Sequence, residues 1–339
     1  MVASDRRWEM SSSQSYFAQR RVLITGGLGF IGSSLACRLA DLGAEVTVID
    51  AMLPDCGANR ANIAGYEGRI NIRIANVRDR EALDGLIDGQ EVVFNVAGRV
   101  SHLDSMIHPV ADLEDNVLAQ LQVLEACRYR AADARIVFAS TRQIYGKPQT
   151  LPVTEDHPLR PVDVNGVNKM AAEAFHVLYH NVYGLRSISL RLTNTFGPRM
   201  RVKDARQTFL GTWLRAIAER RPFDVWGGEQ LRDFCYIDDA VDAFLDAAQA
   251  THGWGEAYNI GGSPPISLIA LAKSITELDN EARFEKRDFP PERKIIDIGD
   301  YYADDSRFRA LTGWTPRVSL EDGLRRSIDF YHKVLPAYV

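Results

Sequence analysis

Residues 20–50 read RRVLITGGLGFIGSSLACRLADLGAEVTVID, and the order of residue types in this stretch decides the fold. Val22–Thr25 is a short apolar run, the sort that forms a buried strand. Gly26, Gly29 and Gly32 follow, then helical spacing through Leu39, then a second apolar run, Val46–Ile49, ending at Asp50. Strand, glycine turn, helix, strand and acid within about 30 residues is the context in which a glycine motif signals a dinucleotide cradle. Gly26 lets the chain turn tightly off the strand, Gly29 lets backbone N–H groups approach a pyrophosphate, and Gly32 lets helix and strand pack closely. The helix N-terminus adds its partial positive charge. Asp50 suits the ribose hydroxyls of adenosine and would repel a 2′-phosphate, which favours NAD over NADP.

Outward from this unit the strand–helix rhythm continues. Ile70–Ala75 ends at Asn76, Glu91–Val96 (EVVFNV) is followed by Ala97 and Gly98, and Arg135–Ser140 (RIVFAS) is a further buried strand. Asn116–Arg128 has helical periodicity. The expected fold class is therefore α/β, with a doubly wound parallel sheet whose ligands sit at the carboxyl ends of the strands. At 339 residues, 46% hydrophobic and 25% charged, the chain is an ordinary globular one with room for a second lobe. Its net charge of −5 argues against a nucleic-acid surface, and no apolar run is long enough to span a bilayer. Cys37, Cys56, Cys127 and Cys235 show no paired or metal-like spacing, so no metal is expected and a reduced, cytoplasmic setting is the simplest reading. Residues 1–19 are polar and serine-rich and read as a disordered tail.

The spacing GGLGFIG, with FNVAG after the fourth strand and FASTRQIYG after the fifth, resembles the extended short-chain dehydrogenase/reductase family, and within it the nucleotide-sugar epimerases and dehydratases. LRLTNTFGPR, RDFCYIDDA, YNIGG and LTGWTPRVSLEDGL extend the resemblance from Arg21 to about Leu335. It implies a Rossmann-type NAD-binding domain over 20–192 and a smaller C-terminal α/β substrate lobe, mainly 193–339, with some segments returning to the first domain. It implies NAD held by Gly26, Gly29, Phe30, Ile31, Asp50, Asn76, Val77, Val96, Ala97, Gly98, Asn116 and Lys169. The partner implied is a nucleotide-diphosphate sugar, bound by His102, Thr141, Asn194, Arg199, Arg232 and Arg293. A homodimer through helices at Asn116–Arg128 and Asn168–Tyr183 is implied as well.

The family mechanism removes hydride from a sugar carbon to give a transient ketone, with a Tyr four residues before a Lys as proton carrier and a Ser or Thr bonded to the reacting hydroxyl. Here Thr141 and Lys169 match, but Asn165 stands at the Tyr position, and an amide does not act as a base near neutral pH. Three readings stay open: another group carries the proton, Lys169 itself is the base, or the chain binds NAD and nucleotide sugar without turning them over. Tyr145, His102 and Asp104 are the other candidates for the proton, with Tyr145 expected to be structural. Where the dehydratases of the family carry Asp-Glu after the Thr, this chain has Arg142 and Gln143, which makes dehydration and decarboxylation less favoured than epimerisation. Arg142 sits at a strand end, where it either pairs with an anionic group or is solvated. Tyr258–Gly262 reads as a strand and glycine turn of the substrate lobe, and Phe209–Ala218, Ser267–Leu278 and Leu320–His332 as its helices.

Overall fold

The computed structural model describes residues 12–339 apart from residues 55, 205 and 207, and the side chains of residues 12, 292 and 293 lie outside that description. At its centre are β1 (Arg21–Thr25), β2 (Glu45–Asp50), β3 (Ile70–Ile74), β4 (Val92–Asn95), β5 (Arg135–Thr141), β6 (Arg186–Leu192) and the strand Ala257–Ile260. They form one seven-stranded sheet in the order Ala257–Ile260, β6, β5, β4, β1, β2, β3. Every neighbouring pair is parallel. The chain runs outward from β1 to β3, then resumes at β4 on the other side of β1. A switch point therefore lies between β1 and β4, where Thr25 faces Asn95. A crevice opens at such a point because the connecting helices leave in opposite directions.

The apolar runs feed two layers at once. Val22 and Ile24 of β1 are buried in one hydrophobic cluster and Leu23 in the other. Continuous apolar strands are required when both faces are covered, and each such side chain contributes roughly 1.5–3 kcal/mol on burial. Helices Phe30–Asp41 and Ile237–Gln249 pack on the first face. Arg80–Ile87, Ala119–Arg130 and Val164–Tyr183 cover the second. Gly32 is needed for close packing: a Cβ there would lie 2.2 Å from the carbonyl oxygen of Gly26.

Two expectations need correction. Tyr258 and its neighbours do not belong to the substrate lobe; Ala257–Ile260 is the edge strand of the central sheet, with Tyr258 opposite Leu190 of β6. A buried four-residue strand carries no mark of which sheet it joins. The 1–19 tail is too long, because Ser12–Phe17 is a helix. Phe17 is fully buried, and the Tyr16 hydroxyl donates to the Ala248 carbonyl. An aromatic pair supplies enough apolar area to fix a short segment that its serines made look solvated. Residues 1–11 lie outside the described residues.

In the C-terminal lobe, helix Phe209–Ala218 packs against helix Leu320–Val334. Strand Phe223–Trp226 pairs with Phe284–Arg287, and Leu231–Arg232 with Ile266–Ser267. No helix among the described residues is long and apolar enough to cross a membrane.

Candidate active site

The cofactor end is built largely from backbone. Gly26 has φ +68 and its N–H donates to Ile49 O at 2.8 Å, which folds the turn back on β2. Thr25 Oγ1 donates to Asn95 Oδ1 at 2.9 Å and accepts from the amides of Val96 and Ala97, so the chain leaving β4 is fixed against β1. One cavity is lined by Gly26, Gly29, Phe30, Ile31, Gly32, Asp50, Asn76, Val77, Val96, Ala97 and Gly98, which brings together nearly every expected cofactor contact. Asp50 accepts from Leu28 N and Met52 N, and burial raises its pKa. Asn76 Oδ1 accepts from Arg78 N, which closes the turn after β3 and leaves one carbonyl lone pair.

Asn116 lies in a π-helical turn, Glu114–Leu118, that opens helix Ala119–Arg130. Its Oδ1 is buried without a partner. A Cβ on Gly98 would lie 2.4 Å from that oxygen and 3.1 Å from Lys169 Nζ. A buried acceptor and an ammonium with hydrogens to spare thus converge beside Gly98, a glycine that lines the cofactor cavity. Together with the glycine turn and Asp50, this donor and acceptor set fits an adenine dinucleotide. Lys169 Nζ donates to Ala139 O at 3.2 Å and lies 5.0 Å from the centre of the Phe138 ring. Burial lowers its pKa to about 8, opposed by the Asp112 carboxylate.

Asn165 is buried with its side-chain amide already engaged. Its Nδ2 donates to Arg99 O at 2.9 Å and to Asp112 Oδ2 at 3.2 Å. Asp112 is a buried carboxylate that also accepts from Asn116 and Asn168, so three amides surround it. Thr141 Oγ1 accepts from Gln143 N and caps the short turn Arg142–Tyr145. Tyr145 is buried with its hydroxyl between Asn259 and Arg191, and burial pushes its pKa up to about 12; it is a core residue.

The second cavity, about 740 Å³, lies between the sheet and the C-terminal lobe. His102, Arg142, Gln143, Asn194 and Arg232 line it. His102 Nδ1 is 2.9 Å from Asp163 Oδ2, in ion-pair range but off the hydrogen-bond angle. Asp163 is buried, caps helix Val164–Tyr183 through Gly166 N at 2.6 Å, and accepts from Gln143 Nε2 at 3.1 Å. Burial pushes the Asp163 carboxyl up, but His102 and the Gly166 and Gln143 donors outweigh it, and its pKa falls below the usual value. Arg232 Nη2 is 3.1 Å from Asp297 Oδ1, and burial with the neighbouring Arg142 lowers its pKa to about 10. Asp104 pairs with Arg206 at 2.7 Å, and both residues line both cavities.

Not every expected residue comes to the site. Thr141, Asn165, Asn116, Lys169 and Arg199 line neither cavity, and the Arg199 Nε donates to Asn62 O at 2.9 Å. The Arg293 side chain lies outside the described residues. Sequence reasoning passed over Asp163 and Asp112. Asp163 has a readable signal, an acid three residues before Gly166 at a helix start. Asp112 has only its four-residue spacing from Asn116.

The sequence profile of the NAD dependent epimerase/dehydratase family matches residues 22–261. A UDP-glucose 4-epimerase of Mycolicibacterium smegmatis is 29% identical over 92% of this chain and 98% of its own. The structure of an epimerase from Methanothermobacter thermautotrophicus superposes with a TM-score of 0.89 at 24% identity over 96% of each chain, a likeness of fold alone. The Thermus thermophilus UDP-glucose 4-epimerase in complex with NAD superposes with a TM-score of 0.81 at 27% identity, covering 92% of this chain and 98% of that one.

Proposed function

Because the chain belongs to the NAD dependent epimerase/dehydratase family, we propose that it epimerises a carbinol carbon of a nucleotide-diphosphate sugar and that His102 carries the proton. NAD, when bound, supplies hydride acceptance and return, and the residues over Gly98 hold it. The sugar occupies the 740 Å³ cavity, with its diphosphate toward Arg232. His102 Nε2, the ring nitrogen away from Asp163, takes the hydroxyl proton as the ketone forms and gives it back on reduction. Asp163 orients the ring and stabilises the imidazolium, as a carboxylate behind a catalytic histidine does. Lys169, enclosed beside Gly98, supplies positive charge at the cofactor end.

One observation carries this reading: the side chains at the end of β5 hold no acid. Gln143 donates its amide to Asp163, and Arg142 keeps its charge, so elimination of water has no proton donor there. Oxidation and re-reduction at one carbon need only one proton carrier. The relative from Mycolicibacterium smegmatis, a UDP-glucose 4-epimerase, supports the same class.

Incubation with UDP-, GDP-, CDP- and dTDP-sugars tests the reading, with products followed by NMR and mass. The expected product is an epimer of unchanged mass. Loss of water contradicts epimerisation, and binding without any product contradicts catalysis.

The dimer belongs to the same proposal. Leu118, Leu178, Val182 and Tyr183 are all exposed on the two adjacent helices expected to pair. A face of this kind fits a second copy of itself. Sedimentation of the chain as a monomer at micromolar concentration contradicts it. A cytoplasmic setting fits the four cysteines, all of which are unpaired.

A further inference from the structure

Arg142 is left without an assignment by the reading above. It follows Thr141 at the end of β5 and lines the substrate cavity. Its Nη2 donates to Asn194 Oδ1 at 2.7 Å, which sets the plane of the guanidinium, and its carbon lies 5.3 Å from the centre of the Tyr301 ring. Nη1 is enclosed and has no hydrogen-bond partner.

No carboxylate among the described residues lies within ion-pair distance of Arg142, and the nearest acids are committed elsewhere. Asp233 accepts from Thr193 Oγ1 and from Ala303 N. Asp297 pairs with Arg232 and accepts from Gly299 N. A largely buried guanidinium without a counter-ion is costly, and proteins retain one where an anion arrives. Burial lowers the Arg142 pKa, as expected of a cation still short of a partner.

Position separates this arginine from the other one in the cavity. Arg232 sits on the strand Leu231–Arg232 of the C-terminal lobe and already serves Asp297 and two carbonyls. Arg142 stands one residue past Thr141, at the reacting end of the sheet, and Asn194 two residues past the end of β6. With the nucleotide diphosphate at Arg232, the group that meets Arg142 belongs to the sugar.

We propose that Arg142, held by Asn194, is a carboxylate-reading subsite, and that the substrate is a nucleotide-diphosphate sugar bearing a carboxylate on the ring or on a ring substituent. This rests on the cavity being the nucleotide-sugar site. The planar fork suits a carboxylate, because one oxygen satisfies Nη1 while the other stays in the guanidinium plane.

Calorimetry with two matched pairs tests it: UDP-glucuronate against UDP-glucose, and GDP-mannuronate against GDP-mannose, with UDP and GDP alone as references. The wild type should bind the acidic member of the pair that fits its nucleotide at least ~30-fold more tightly than the neutral one. Arg142→Gln should bring that ratio close to one, and Arg142→Lys should keep only part of it, since an ammonium makes a single-point contact. Equal wild-type affinities for the two sugars of a bound pair overturn the subsite and leave the epimerase reading intact. A loss in Arg142→Gln as large for the bare nucleoside diphosphate as for the acidic sugar assigns the arginine to the diphosphate and also overturns it. Failure of UDP, GDP, CDP and dTDP and of their sugars alike to bind overturns both readings together.

Discussion

The cofactor end and the reacting end of this protein are built in opposite ways. Around Gly26 the work is done by backbone: a turn with positive φ, a helix N-terminus, and amides held against Thr25 and Ile49. At the proposed reacting end the polar groups are instead side chains drawn from four separate segments, His102, Asp112, Arg142 with Gln143, and Asp163 with Lys169. A backbone device depends on glycine and tolerates change elsewhere. A side-chain device can be rebuilt residue by residue on an unchanged frame. At position 165 the amide is drawn into the Asp112 hub, tying helix Val164–Tyr183 to Arg99.

The largest effect is expected from breaking the cradle. A Cβ on Gly26 would lie 2.8 Å from Ala97 Cα at a φ of +68. Gly26→Val should therefore weaken adenine dinucleotide binding more than ~1,000-fold by calorimetry, well beyond the ~1.4 kcal/mol of a tenfold change. Unchanged affinity would mean the turn holds no pyrophosphate. Next comes Asp163→Asn, which removes the carboxylate facing His102 but keeps a capping side chain for the helix. Its kcat should fall by about 100-fold with little change in melting temperature; a fall in stability alone would reduce Asp163 to a helix cap.

Asn165→Ala sharpens the contrast from the other side. It deletes two hydrogen bonds, one of them to the buried Asp112, and should cost about 1–3 kcal/mol in a urea titration while turnover stays within a few-fold. A collapse of turnover in a folded variant would return position 165 to the chemistry. The smallest effect is a slope. Lys169 has a folded pKa of about 8 against an ordinary 10.5. Between those pH values the unfolded chain holds a proton that the folded chain lacks, so this residue makes stability rise with pH across that window. Below pH 8 both states are protonated, and the cost of burying the charge is fully present. Lys169→Met should therefore show a flatter urea midpoint from pH 8 to 10 than the wild type.

The same contrast explains what could be read from the chain alone. The glycine spacing and the apolar runs are local signals, and they placed the strands of the sheet within a residue or two, while Gly26, Gly29 and Asp50 share one cavity. The His102–Asp163 pair joins residues 61 apart in sequence, and no periodicity links a loop histidine to a helix cap. Arg199 is expected at the substrate from the resemblance, yet its Nε donates to the carbonyl of Asn62, a contact across 137 residues that no local pattern encodes. Ala257–Ile260 went to the wrong lobe for a related reason: a strand's partner is a long-range fact.

The central claim is that the proton sits on His102 rather than on the helix that carries Lys169. The most direct measurement is kcat for the wild type and for His102→Gln, with dinucleotide and sugar binding measured alongside. His102→Gln should bind both ligands yet turn over at least ~100-fold more slowly. A variant that binds both ligands and keeps the wild-type rate would contradict the claim.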